Sequence, residues 1–452
     1  MALDTRKTAL HILMHAAQKK TTLDRALDAC RPQLAGLTQQ DKNLCHAIVF
    51  GVLRHRNYLD FIIQAFSNTK ISRMDLSVLY ILRMAVFQMQ FLDRVPDFAA
   101  INTGVDLAKA QGGKKIAGFV NAVLRNAARG IDSLVWPDLH KHLVDHVSVV
   151  YSIPLWLAQR WYNRYGPDTT LDLCQALNRI PPVTLRTNTL KTSRTELGRQ
   201  LAAAGHKFDF TRFSPDGVLL TGAGIHVENL TGFSSGLFQI QDEAAQLVSR
   251  LVNPKIGERI LDACAGLGGK SLHLAQLMEN TGQITAVDTE RNKLAQLTSE
   301  AQRLGITCVT TQVMDLLRAD ISDFPKFFDR VLVDAPCTGL GVLRRNPDAR
   351  WERSVQDIQR MAARQKRLLN SAANLVKPGG TLVYAVCSCE KEENEAVIAA
   401  FLKKRKDYVL DPMGHFCGYA CERFFTTFPD TNGMDGFFAA RLTRVSQEAV
   451  SC

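Results

Sequence analysis

Residues 259–270 read RILDACAGLGGK. Arg259–Asp262 fits a short strand, the glycines fit a tight turn, and Ser271–Glu279 continues at helical spacing. Glycine lets a backbone approach a ligand where a side chain would clash. Nicotinamide and S-adenosylmethionine sites both use such a turn, so it does not choose between them. Gln283–Val287 is the next predicted strand, closed by Asp288. A carboxylate there, about 20 residues past the turn, can bond both ribose hydroxyls of a nucleoside, or cap the turn it sits beside. Val309–Val313 is a third strand with Asp315 just beyond it, placed to reach an adenine amino group or to cap the following turn. Arg330–Asp334 is a fourth, so three acidic strand ends fall in step.

Further strands are expected over Thr381–Val386 and Gly436–Leu442, with helices through Leu304 and over Ala396–Lys404. Alternating strands and helices point to a doubly wound α/β sheet. In such a sheet, ligands bind beyond the carboxyl ends of the strands. Two cysteines lie there. Cys337 follows Asp334-Ala-Pro, just past the fourth strand, and Cys387 follows Tyr384-Ala-Val, just past the fifth.

Two thiols at one crevice suit a definite reaction. Carbon 5 of cytosine is a poor nucleophile until a thiolate adds to carbon 6. A base must later remove the carbon-5 proton so that the thiolate can leave. One residue cannot conveniently be both tether and base, which gives the second thiol a task. Asp334 could stabilise charge at the pyrimidine N3 edge. The residues alone leave open which cysteine attacks.

Upstream, residues 1 to about 130 carry helical apolar periodicity, as in Ala9, Leu10, Leu13, Met14 and Ala17, interrupted at Gly112-Gly113. Trp156–Leu177 also looks helical. Val183–Asn188 and Gly217–Leu220 look like strands around a helix over Leu197–Ala204. Three parts are therefore expected: all-α over 1–135, a small α+β module over 145–235, and the α/β domain over 236–445.

The 452 residues are 46% hydrophobic and 22% charged, ordinary for a globular protein. Net charge is +11. Residues 1–145 hold 19 Lys and Arg against 12 Asp and no Glu, so +7 of the excess lies there. That suits docking to a polyanion, or a solvated helical surface. The N-terminus lacks a signal-peptide pattern and no apolar run approaches a membrane span. A cytoplasmic protein without membrane contact is expected, with its eleven cysteines as free thiols. Cys30, Cys45, Cys174 and Cys308 fall on apolar patterns and are expected in the core. Cys417 and Cys421 near His415 match no strong zinc spacing, and no metal is expected.

The blocks LDACAGLGGKS (261–271), DAPCTGLGVLRRNPDARW (334–351) and YAVCSCEKEENE (384–395), flanked by QDEAAQLV (241–248) and DGFFAARL (435–442), resemble the RNA cytosine-5 methyltransferases of the Fmu/Sun type. Residues 91–129 are similar to the NusB-type domain fused to one bacterial branch of that family, which acts on 16S ribosomal RNA. The resemblance covers essentially the whole chain. It implies a Rossmann-like S-adenosylmethionine-dependent methyltransferase domain, preceded by an all-α NusB-like domain and a small α+β linker module. It implies Cys387 as nucleophile and Cys337 as the base assisting release. Cys264, Ala265, Gly266, Leu267, Gly268, Gly269 and Lys270, with Asp288, Asp315 and Asp334, would bind the cofactor. The substrate would be an unpaired or flipped cytosine of 16S ribosomal RNA, and a monomer would suffice.

The chain departs from the family pattern in places. Gly266-Leu267 stands where Ala-Pro is usual, Val386 where a threonine usually precedes the nucleophile, and Cys389 is an additional thiol. A DNA cytosine-5 methyltransferase is a competing reading, but it needs a Glu-Asn-Val block that is not present and would leave one strand-end cysteine surplus. An inactive RNA-binding relative is another, opposed by the intact Cys337, Cys387, Asp288 and Asp334.

Overall fold

The computed structural model describes residues 2–222, 224–319, 322, 324 and 327–445. Contacts divide them into two units. The first runs to Ile180 and includes Leu343–Glu352; the second comprises Pro181–Val342 and the residues from Arg353 onward.

The first unit is helical. Its helices include Ala2–Lys19, Gln39–Arg54, Arg56–Ala65, Leu76–Phe91 and Asp97–Gly130. Leu76–Phe91 is the central one, buried continuously from Val78 to Gln88. Asp75 caps it, accepting from the Ser77 N–H at 2.8 Å. The break expected at Gly112-Gly113 is present as a kink within Asp97–Gly130, where both glycines leave helical geometry. The expected helix over Trp156–Leu177 is instead two, Leu155–Tyr165 and Pro167–Asn178. Gly166 between them has φ +77°, and Pro167 starts the next helix where its missing N–H costs nothing.

Part of the basic excess lies inside this unit. Arg6, Arg54 and Arg83 are buried. Arg83 forms a two-pronged pair with Asp60, and Arg6 donates to Gln88 at 2.7 Å. These three cations cannot face a phosphate backbone, so the basic surface is smaller than the count of 19 suggests.

Segment Leu343–Glu352 is packed into the helical unit around Arg350, which is fully buried. Its guanidinium donates to the carbonyls of Arg54, Tyr151, Ser152 and Leu177 and to Asn178 Oδ1, at 3.0–3.3 Å. Burial pulls its pKa down to about 9, with the Arg54 charge adding to the effect. Trp351 donates its indole N–H to the Leu53 carbonyl at 2.6 Å, and the Leu23 N–H donates to Asp348 at 2.9 Å.

The second unit holds two larger sheets. Strands Val183–Thr187 (β1), Lys207–Phe210 (β2), Gly217–Thr221 (β3) and Phe238–Ile240 (β4) form an antiparallel sheet in the order β2-β3-β1-β4. Helix Arg194–Ala203 covers it through Leu197 and Leu201. The main sheet contains Arg259–Asp262 (β5), Gln283–Asp288 (β6), Val309–Val313 (β7), Phe328–Asp334 (β8), Val376–Val386 (β9) and Tyr408–Leu410 (β10). A hairpin of Gly414–Phe416 (β11) and Tyr419–Cys421 (β12) follows, then Phe425–Thr427 (β13) and Phe437–Arg444 (β14). The order is β10-β14-β9-β8-β5-β6-β7, with β13 also on β14. Strands β5 to β9 pair in parallel, and β14 joins antiparallel.

One face is covered by helices Glu243–Val252, Gly269–Leu277 and Arg291–Leu304, through Leu247, Leu272 and Leu297. The other is covered by Val355–Ala373 and Glu395–Lys404, through Leu368, Leu369, Ile398 and Phe401. This is the doubly wound, Rossmann-like arrangement expected. The chain runs outward from β5 in both directions, so the switch point lies between β5 and β8. No helix among the described residues is long and apolar enough to cross a membrane.

Replacing Arg350 tests the segment's anchorage. Arg350→Met leaves several buried carbonyls without donors, at a cost of about 3 kcal/mol or more. Arg350→Lys, lacking the planar fork, should recover only part. Calorimetry of the full chain should show a lower unfolding temperature for both; unchanged transitions would contradict this anchoring role.

Candidate active site

The site forms where β5, β8 and β9 end side by side. Residue pairing in β8–β9 sets Asp334 opposite Ala385. Cys337 lies three residues beyond one and Cys387 two beyond the other. Their sulfurs are 3.3 Å apart, within reach of an S–H···S hydrogen bond. The Cys337 thiol is held well above the ordinary range, first by its bond to Cys387, then by burial, then by the Cys387 and Glu393 charges.

Lys270, one residue into the helix after the glycine turn, crosses the switch point. Its Nζ meets Asp334 Oδ2 at 2.6 Å. Burial alone would lower its pKa, but Asp334 more than offsets this, with further help from Cys387 and Asp262, and the net shift is upward. The ammonium is therefore fixed as a cation beside the two thiols. It also lies 5.2 Å from the Phe437 ring centre.

The turn itself is closely specified. Gly268 has φ +81°, and a β-carbon there would collide with Leu297. The Gly266 N–H donates to Asp288 Oδ2, and the Glu290 N–H to Asp288 Oδ1, each at 2.9 Å. Asp288 thus supports the turn from the end of β6. Asp315, two residues past β7, accepts from the Leu317 N–H at 3.1 Å and lies 3.6 Å from Arg318. Both carboxylates cap turns while lining the same strand-end edge.

Cys264 and Ala265 continue β5 into this turn; the Ala265 N–H bonds the Val287 carbonyl at 2.9 Å. Cys264 is half-buried, its thiol pushed up chiefly by burial. Leu267 is 55% exposed, so the turn leaves an apolar side chain at the surface. Asp262 is buried and bonds Ser271 at 2.6 Å through Oδ2, while its Oδ1 has no partner. An orphaned acceptor beneath a glycine cradle, with carboxylates on the next strands, fits a nucleoside-bearing cationic ligand.

Val386 is fully buried in the core on the helix Val355–Ala373 side of the sheet. Strand alternation turns it away from the face against which Cys387 packs. The hydroxyl expected at that position would therefore sit in the core. Cys389 is buried, close enough to Gly436 that a β-carbon there would press on its sulfur.

Other groups at the site were not singled out from sequence. Gly341 is wedged between loops: its N–H donates to the Cys387 carbonyl at 3.1 Å, and its carbonyl accepts from the Gly436 N–H at 2.8 Å. A β-carbon on Gly341 would run into the Gly436 carbonyl. Arg186, on β1, is fully buried and donates to the Gly269 carbonyl at 2.6 Å, to Gln239 at 2.7 Å and to Gln241. Burial draws it down to about 9. It ties the small sheet to the start of the helix that follows the glycine turn. The sequence signal for it is only an arginine at an inward strand position.

Three family profiles match the chain. One described as "16S rRNA methyltransferase RsmB/F" matches residues 249–443, one for the NusB family residues 3–129, and a ferredoxin-like domain of RsmF/B-like methyltransferases residues 153–228. "Probable ribosomal RNA small subunit methyltransferase B" of Bacillus subtilis (strain 168) is 39% identical over 83% of this chain and 83% of that protein. "Ribosomal RNA small subunit methyltransferase B" of Klebsiella pneumoniae subsp. pneumoniae is 32% identical over 98% of each. The chain belongs to the RsmB/F family of 16S rRNA methyltransferases. A solved methyltransferase homolog protein from Pyrococcus horikoshii is 30% identical, with a TM-score of 0.58 over 66% of this chain and 98% of that one. As a family member the chain is an rRNA methyltransferase that uses S-adenosylmethionine.

The Asp262 carboxyl is raised to about 6, chiefly by burial, opposed by the Ser271 bond and reinforced by Asp334. Its neutral form is favoured on folding. The associated stability is complete below its unfolded pKa near 3.8 and is lost as pH rises through 6. Asp262→Asn should therefore gain on the parent by on the order of 3 kcal/mol between pH 4 and pH 8. Thermal unfolding midpoints compared at those pH values check this; a pH-independent difference would contradict it.

Proposed function

We propose that the chain methylates carbon 5 of a cytosine in 16S ribosomal RNA, with Cys387 as nucleophile and Cys337 as the base that releases it. The observation that carries this reading is the pair of sulfurs 3.3 Å apart beside the Lys270–Asp334 ion pair. S-adenosylmethionine supplies an electrophilic methyl group when bound. Residues Cys264 to Lys270, with Asp288, Asp315 and Asp334, would hold it.

The Cys387 thiolate adds to carbon 6, and the displaced electron pair moves into the ring toward N3. The Lys270 ammonium, held in place by Asp334, would meet the negative charge that develops there. Once carbon 5 is methylated it still carries its proton. The Cys337 thiolate takes that proton, the C5–H electrons re-form the C5–C6 double bond, and the C6–S bond breaks to free Cys387.

The coupling between the thiols orders these events. While Cys387 is a thiolate, it helps keep the proton on Cys337. As a thioether on carbon 6 it no longer carries that charge. Cys337 can then lose its proton to solvent and act as the base. The base must be out of its stack for a thiol to reach carbon 6, which favours unpaired or flipped cytosine.

In this reading residues 1–135 dock RNA, 145–235 link and position it, and 236–445 perform the chemistry. One chain supplies both thiols, the carboxylate and the ammonium, so a monomer suffices. Cys337→Ala should accumulate a denaturant-resistant protein–RNA adduct on 16S ribosomal RNA fragments, because addition proceeds and release fails. Cys387→Ala should give none and should not methylate. The reverse pattern would assign attack to Cys337; adduct from neither would remove the covalent route.

A further inference from the structure

Glu393 lies seven residues past β9 and is fully buried. Its carboxylate accepts four hydrogen bonds. Oε1 accepts from the Thr338 N–H and from Gln365 Nε2, both at 2.9 Å. Oε2 accepts from the hydroxyls of Thr338 and Ser388, both at 2.5 Å. Thr338 directly follows Cys337, and Ser388 directly follows Cys387. A single carboxylate therefore holds the residue after each thiol.

The surroundings fix Glu393 in turn. Its carbonyl accepts from the Tyr384 hydroxyl at 2.6 Å, anchoring it to β9. Gln365 also donates to the Pro336 carbonyl at 3.0 Å, one residue before Cys337. Asn394 Nδ2 donates to the Ser388 carbonyl at 3.1 Å. A buried carboxylate is costly unless its oxygens are met by donors. Here they are, and every donor stands within one residue of a reactive cysteine or bonds its loop.

We infer that Glu393 is a positioning residue, clamping the Cys337 and Cys387 loops at the separation that lets one thiol release the other. This rests on the roles proposed above for the two cysteines. The carboxylate is suited to the task because it offers acceptors alone. A glutamine would turn an NH2 group either toward the Thr338 N–H and Gln365 amide, losing those bonds, or toward the two hydroxyls, which must then accept instead of donate; either way the charge-assisted bonds to both loops are lost. The negative charge also contributes, after Cys387 and burial, to holding the proton on Cys337. Loosening the clamp moves Cys337 away from the carbon-5 proton, whereas attack by Cys387 does not require that base. The defect should thus fall on release.

The test uses the full-length protein, S-adenosylmethionine and a 16S ribosomal RNA fragment, with Cys337→Ala as the control. Glu393→Gln should lower kcat at least tenfold, leave the KM values for S-adenosylmethionine and RNA within about twofold, and accumulate the covalent adduct. Glu393→Asp, which keeps the charge, should recover part of the rate. General damage to the fold would raise KM and reduce adduct and product together. If Glu393→Gln does not fold, Thr338→Val and Ser388→Ala each remove one bond to the clamp and should show the same adduct at smaller amplitude. Normal turnover without adduct in these variants, while Cys337→Ala traps, would overturn the inference. Absence of adduct in Cys337→Ala would instead overturn the underlying assignment of the cysteines.

Discussion

The parallel pairing of β8 with β9 is the constraint on which the site depends. It places Asp334 opposite Ala385, so the two loops that leave these strands start level. A slip of one residue would turn every side chain on one strand to the opposite face and separate the thiols. The loops then reinforce the register. The Gly341 N–H bonds the Cys387 carbonyl, and Gly436 bonds Gly341. Only backbone occupies that junction, because a β-carbon on Gly341 would strike the Gly436 carbonyl. Lys270 completes the arrangement from β5 by closing on Asp334 across the switch point.

Much of this was legible in the sequence. The glycine turn, the acidic strand ends and the strand-end cysteines follow from patterns that span a few residues each. The contacts that make them a site were not. Lys270 and Asp334 are 64 positions apart, and Cys337 and Cys387 are 50 apart. Glu393 lies in a motif visible from the start, yet nothing local says that it meets both loops. Val386 illustrates the reverse. Its departure from the family pattern drew attention to the pocket, but strand alternation places its side chain in the core.

Some elements escaped for identifiable reasons. The helix Val355–Ala373 is rich in charge, so its apolar stripe of Ile358, Ala362, Leu368, Leu369 and Ala372 is thin. Its start carried a readable signal in the capping box of Ser354 and Asp357. Strands β2, β4 and β13 are three or four residues long, too short for alternation to register. The basic excess of the first third is plain in its composition, but composition cannot reveal that Arg6, Arg54 and Arg83 point inward. The role of Arg350 is likewise tertiary. The chain leaves the Cys337 loop at Leu343, packs ten residues into the helical unit, and returns at Arg353, whose Nε bonds the Thr338 carbonyl at 2.9 Å.

The central claim is that Cys387, not Cys337, forms the bond to the target base. The most direct measurement incubates the unmodified protein and S-adenosylmethionine with 16S ribosomal RNA fragments containing 5-fluorocytidine, whose carbon 5 has no proton for a base to remove. Mass spectrometry of the digested adduct then identifies the attached peptide. The account predicts attachment at Cys387 within Thr381–Cys389. Attachment at Cys337, or no adduct while ordinary cytidine in the same fragments is methylated, would contradict it.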